Sequence, residues 1–259
     1  MQALIRDGIR LCHEEAGSGD PPLLFVHGWC CNHTYFAPQV DHFRSTHRVI
    51  AIDLRGHGES DKPQQDYSMA AFADDLVWLC RQLRVEKPVI VGHSMGGVIA
   101  MTLATRFPDV PAAIVSVDSP ILLPAAVVET LRPFIDALRS PDYQVVQRQF
   151  VADMLFVATD DAARKARIVD AMASAPQHVM ASAFEQLFAF DHAVAAAACT
   201  VPWLFINAVQ PPDYLARLRE ACPHITIGQT VGAGHFNQLE VPDQVNGMLE
   251  RFLAVAVNR

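Results

Sequence analysis

Short, almost purely apolar runs alternate along the chain with stretches where apolar residues recur every three or four positions. The runs fall at residues 23–27, 48–53, 88–92, 112–118, 202–207 and 224–229. They are rich in Val, Ile, Leu and Phe and show no polar alternation, which is the pattern of parallel strands covered on both faces. Between them lie helical patterns. Ser68 is a good N-cap, and Phe72, Leu76, Leu79 and Leu83 then recur at helical spacing. A second helix is expected over about 95–107 and a last one over about 241–255, with Val245, Met248, Leu249 and Phe252 on one face. Such alternation predicts an α/β protein, a mostly parallel central sheet with helices on both faces.

Residues 119–201 break the rhythm. They contain no convincing strand but many large apolar residues, among them Phe134, Phe150, Met154, Phe184 and Phe188. This reads as a helical insertion over the sheet. Its apolar side chains either pack the insertion's own small core or line a greasy substrate pocket, and different residues can do each.

Composition narrows the function. The chain has 259 residues, 51% apolar and 19% charged, enough for a sizeable core and too apolar for disorder. A formal charge of −8, with 20 basic residues scattered, argues against nucleic acid and against an anionic membrane surface. Arg6 and Asp7 stand where a signal peptide would need an apolar stretch. The six cysteines show neither metal-binding spacing nor the rhythm of a disulfide framework, and a vicinal bond between Cys30 and Cys31 would be strained. The expectation is a cytoplasmic protein with reduced thiols, acting on a small molecule.

The chemistry centres on Gly92-His93-Ser94-Met95-Gly96-Gly97. This is G-x-S-x-G between a buried strand and a helix, the context of a nucleophile elbow, where a sharp turn exposes the serine hydroxyl. The Met95 N–H, at the helix N-terminus, faces charge developing on a substrate oxygen. In His27-Gly28-Trp29 the Trp29 N–H is the candidate for a second oxyanion donor, and the His27 side chain is read as structural. His57, in Gly56-His57-Gly58, belongs to a tight turn, and His93 shapes the elbow. Gly232-Ala233-Gly234-His235-Phe236 follows the last strand, and small residues there leave His235 free to reach Ser94 as general base. H-E-x-x-H, C-x-x-C and G-x-G-x-x-G patterns are absent, so neither a metal nor a cofactor is expected.

His27-Gly28-Trp29, Asp53-x-Arg55-Gly56-x-Gly58-x-Ser60, the Ser94 elbow and Gly234-His235 occur in an order that resembles the α/β-hydrolase fold superfamily. The resemblance spans the chain and implies a core formed by 1–118 and 202–259 with 119–201 as a helical cap. It departs from the family at the acid. Most relatives carry Asp or Glu shortly after the seventh strand, where this chain has Gln210 and Pro211. Asp213 lies a little further on, where it could also cap a helix. Asp118, at the tip of the preceding strand, is the preferred partner for His235, as in a minority of the superfamily.

The resemblance implies an esterase or lactonase, with an acyl-enzyme on Ser94. Ser at position 94 counts against epoxide hydrolases and haloalkane dehalogenases, which need a carboxylate there. The same machinery serves C–C hydrolases of dienoic ring-fission products. Gly28-Trp29-Cys30, Asp118 and residues 210–214 also resemble the cofactor-free dioxygenases that open N-heteroaromatic rings, but those carry His where this chain has Met95 and Cys31. A ligand receptor on the same fold is the non-enzymatic alternative, which would not need both the elbow and His235.

Overall fold

Eight strands form one sheet in the order β1-β2-β4-β3-β5-β6-β7-β8 in the computed structural model, which describes residues 1–257. The parallel part comprises β3 (Leu23–Val26), β4 (Val49–Asp53), β5 (Val89–His93), β6 (Ala113–Val117), β7 (Trp203–Asn207) and β8 (Thr226–Gln229). These are the six apolar runs with their ends shifted by a residue or two; β8, at the sheet edge, is only partly buried and not covered on both faces as its run suggested.

Two further strands, β1 (Gln2–Arg6) and β2 (Ile9–Ala16), pair antiparallel with each other, and β2 pairs antiparallel with β4. The strand pattern in the sequence did not include them. Their signal is Asp7-Gly8, with φ of 51° and 81°, the two left-handed residues of a tight hairpin turn. β1 is largely exposed, so it lacks the continuous apolar run that marks a strand covered on both faces.

Alternate residues of each buried strand feed two separate cores. Leu24, Val26, Ile50, Ile52, Ile90 and Ile114 face one side, with α2 (Met69–Gln82) and α3 (Met95–Arg106). Leu23, Phe25, Val49, Ala51, Val89 and Val115 face the other, with α1 (Ala37–Phe43) and α11 (Pro242–Phe252). That double coverage is why these strands carry no polar alternation. Ser68 caps α2, its hydroxyl accepting the Ala71 N–H at 3.2 Å.

Between β6 and β7 the chain forms α4 (Ala125–Ala137), α5 (Tyr143–Met154), α6 (Ala162–Ala173), α7 (Gln177–Ala189) and α8 (His192–Ala198). Helix α4 packs against α5 and α7, and α5 against α6. Helix α8 instead packs on α3 and on α9 (Pro212–Ala221), within the helical layer of the sheet. A short helix, α10 (Asn237–Glu240), precedes α11. Among the described residues no helix is long and apolar enough to cross a membrane. All six cysteines are free and buried.

Candidate active site

The elbow is built by backbone that only a tight approach permits. Ser94 sits at φ 53°, ψ −119°, between the end of β5 and the start of α3, and its N–H donates to the Val117 carbonyl at 2.9 Å. A left-handed serine is held there only because β5, β6 and α3 over-determine it. Gly96 lets the first turn of α3 pass over β3: a Cβ there would lie 2.1 Å from the Val26 carbonyl oxygen.

His235 stands in the loop between β8 and α10, and its Nδ1–H donates to Asp118 Oδ2 at 2.7 Å. The other oxygen of Asp118 accepts the Ala208 N–H at 3.0 Å, so this buried carboxylate is satisfied on both sides. Asp118 has φ 42°, a kink at the tip of β6 that turns its side chain toward the histidine loop. Asp213 is elsewhere, exposed in the first turn of α9 and paired with Arg217 at 3.2 Å. It makes no side-chain cap, because Pro211 occupies that position. The post-β7 turn that usually supplies the acid is closed by Asn207, whose side chain accepts from the Gln210 N–H and donates to its carbonyl.

The backbone of His235 is held from two directions. Its N–H donates to the Leu155 carbonyl at 3.1 Å, and its own carbonyl accepts from His93 Nε2 at 2.9 Å. Burial pushes His93 well below its ordinary pKa, so the ring is neutral with its proton on Nε2. His93 is thus the elbow's strut under the histidine loop. His27 is fully satisfied as well: Nδ1–H donates to the Gly28 carbonyl at 2.8 Å, and Nε2 accepts the Leu54 N–H at 3.1 Å. Burial lowers it to about 4 and lowers His57, which donates to the Arg55 carbonyl, to about 3. Neither faces the Ser94 cavity.

Trp29 lies in the turn after β3, and Met95 is the first residue of α3, directly after Ser94. The Trp29 indole is anchored by donating to the Met180 carbonyl of α7 at 2.9 Å. That contact fixes the turn against the insertion.

Ser94, His235 and Asp118 line one cavity of about 200 Å³. Its remaining walls are chiefly apolar, including Trp29, Leu131, Phe150, Met172, Phe184 and Phe188, with Gln210 at one side. Among the described residues no Lys or Arg lines it. Phe184 belongs equally to the insertion's packing, 4.8 Å from Trp29 and 5.0 Å from Phe134 between ring centroids. Met154 is 65% exposed at the mouth, and Phe134 lies behind the wall, stacked on Phe150 at 4.0 Å. The insertion's apolar residues therefore divide between core and pocket.

Asp53 ties the Trp29 turn to the loop after β4. It accepts from the His33 N–H at 2.7 Å, the His33 ring at 2.8 Å and the Glu59 N–H at 2.8 Å. Burial alone would raise this carboxyl, but those bonds outweigh it and hold it at about 2, below its ordinary 3.8. Hydrogen bonding to Asp53 raises His33 above its ordinary 6.5, against the burial that lowers it. The carboxylate's contribution to stability is full above about pH 4 and lost as the pH falls toward about 2. The His33 contribution is full below about pH 6.5 and lost as pH rises through its raised value. The melting-temperature gap between wild type and Asp53→Asn is expected to peak at about pH 4–6.5. A gap that stays constant across that range and beyond would show that the pair does not stabilise the fold.

The fold and this site define an α/β hydrolase. The chain belongs to the α/β hydrolase fold family, whose model matches residues 21–242. Among solved structures it is similar to a thermophilic esterase from Thermogutta terrifontis, with 25% identity, a TM-score of 0.87 and 100% of both chains covered. It is also similar to Est816, described as an N-acyl homoserine lactone degrading enzyme, at 27% identity and TM-score 0.84 over 97% of this chain and 100% of that one. A 2-(acetamidomethylene)succinate hydrolase from Mesorhizobium japonicum is 39% identical over 110 residues, covering 42% of this chain and 39% of that protein. The matches span from 30% to 65% of the length of the first curated relatives.

Proposed function

We propose that this protein is a serine hydrolase that cleaves a carboxylic ester or lactone of a small, uncharged, largely apolar substrate. The observation that carries the reading is the single cavity that gathers Ser94, His235 and Asp118 beneath apolar walls without a lining cation. In this mechanism His235 Nε2 takes the Ser94 proton as Oγ attacks the ester carbonyl, while Asp118 holds Nδ1–H and so fixes the tautomer. The Trp29 and Met95 amides receive the oxyanion. The proton passes to the leaving alkoxide, and water activated by His235 then releases the acid from Ser94.

Wall chemistry separates this reading from its rivals. A dienoate or other carboxylate-bearing substrate would bury its charge against Phe and Leu without a partner, at a cost of several kcal/mol. The esterase of Thermogutta terrifontis and the lactone-degrading Est816, both matched over nearly their whole chains, support the ester or lactone reading. Against the dioxygenase alternative, the Met95 position carries a buried thioether and the Cys31 thiol donates to the Trp29 carbonyl. Neither supplies an imidazole.

The test is a panel of neutral aryl esters, lactones and anionic dienoates, with Ser94→Ala as blank. Neutral esters or lactones are expected to exceed the dienoates in kcat/KM by about tenfold or more. Faster turnover of the dienoates, or activity that requires oxygen, would replace this assignment.

A further inference from the structure

We infer that Asp160, in the segment between α5 and α6, is a positioning residue that ties the His235 loop to the wall of the substrate cavity; this rests on the hydrolase reading above. Both carboxylate oxygens of Asp160 are spent on backbone. Oδ1 accepts the Gly234 N–H at 2.9 Å and Oδ2 accepts the Val157 N–H at 2.8 Å. One side chain therefore bridges the residue before the base and the segment that follows α5. The same segment supplies the Leu155 carbonyl that holds the His235 N–H at 3.1 Å. Met154 and Leu155 line the cavity beside His235.

Gly234 is shaped for this contact. A Cβ there would stand 2.5 Å from Asp160 Oδ2 and 3.1 Å from both the Leu155 carbonyl oxygen and the Val157 nitrogen. The glycine before the base thus serves the docking of its loop onto the insertion, beyond leaving room for the imidazole. Hydrogen bonds to a carboxylate are short and roughly twice as strong as neutral ones, so this clamp sets the position of the loop firmly. Substrate that presses on Met154 and Leu155 presses on the segment that locates the imidazole. The base is placed by three parts of the chain: Asp118 orients its ring, His93 supports its carbonyl, and the α5–α6 segment fixes its amide.

The experiment compares Asp160→Ala, Asp160→Asn, Gly234→Ala and Arg164→Ala in the full-length protein. Its readouts are p-nitrophenyl ester kinetics, the rate of fluorophosphonate labelling, and melting temperature. A displacement of about 1 Å at a catalytic group costs up to about 10²-fold. Asp160→Ala and Gly234→Ala are accordingly expected to lower kcat and the labelling rate by about ten- to a hundredfold, with KM within about twofold. Asp160→Asn retains one acceptor and is expected to recover part of the loss. Arg164→Ala breaks the neighbouring ion pair with Glu240, near the same segment, without touching Gly234, and is expected to keep wild-type kcat. Wild-type kcat and labelling in Asp160→Ala, or in Asp160→Asn should the alanine variant not fold, would overturn the inference. So would an Arg164→Ala enzyme as slow as Asp160→Ala, because that marks general loosening of the segment. Ester turnover that survives Ser94→Ala refutes the acyl-enzyme on Ser94 on which this inference rests, a result separate from the behaviour of Asp160.

Discussion

Ser94→Ala and His235→Ala are each expected to lower kcat by on the order of 10⁴–10⁶, and the double variant to be little slower than either. The two side chains work as one unit, since the serine hydroxyl is a poor nucleophile until the imidazole takes its proton. Removing either removes the whole of that step, so the losses do not multiply. Kinetics of the three variants on one neutral ester would measure this. Multiplicative losses would place Ser94 and His235 in separate steps. A fluorophosphonate should also label wild type once per chain, and labelling that persists in Ser94→Ala would move the nucleophile elsewhere.

Asp118→Asn is expected to lower kcat by about 10³–10⁴ with the fold retained. The fold survives because an Asn oxygen can still accept the Ala208 N–H, and because Asn tolerates the left-handed conformation found at φ 42°. The chemistry does not survive, because the amide presents N–H groups to His235 Nδ1. The imidazole then carries its proton on Nε2, facing Ser94 with a donor where an acceptor is required. Asp213→Asn removes only an exposed pair with Arg217, so activity and stability are expected to stay almost unchanged. An inactive Asp213→Asn beside an active Asp118→Asn would restore the acid to the post-β7 loop.

Five of the six strands legible in the sequence are buried on both faces, while the sixth, β8, is a half-exposed edge strand. Residues 23–27 and 88–92 announce themselves because both faces of β3 and β5 are covered, and the elbow because glycines bracket a serine at a strand end. The β1–β2 hairpin was not read from the pattern, since an exposed edge strand need not be apolar. Its Asp7-Gly8 turn was the available signal.

Local chemistry, then, was determined by the sequence alone: the α/β alternation, the Ser94 turn and the Gly-rich loop that carries His235. Turn geometry and hydrophobic period depend on residues a few positions apart, so they are written in the order of side chains. For the carboxylate that meets His235 the sequence favours Asp118 over Asp213 without excluding the latter, and only the tertiary structure brings Asp118 to the imidazole. Asp118 and His235 are 117 residues apart, and they meet because only β7 separates β6 from β8 in the sheet and the loop after β8 reaches back to the tip of β6. The contact of Asp160 with Gly234, 74 residues apart, arises in the same way from the docking of the insertion. Such pairs have no period and no local turn to announce them. They exist only once the sheet order, the strand register and the packing of the helices above the sheet have brought the two segments together.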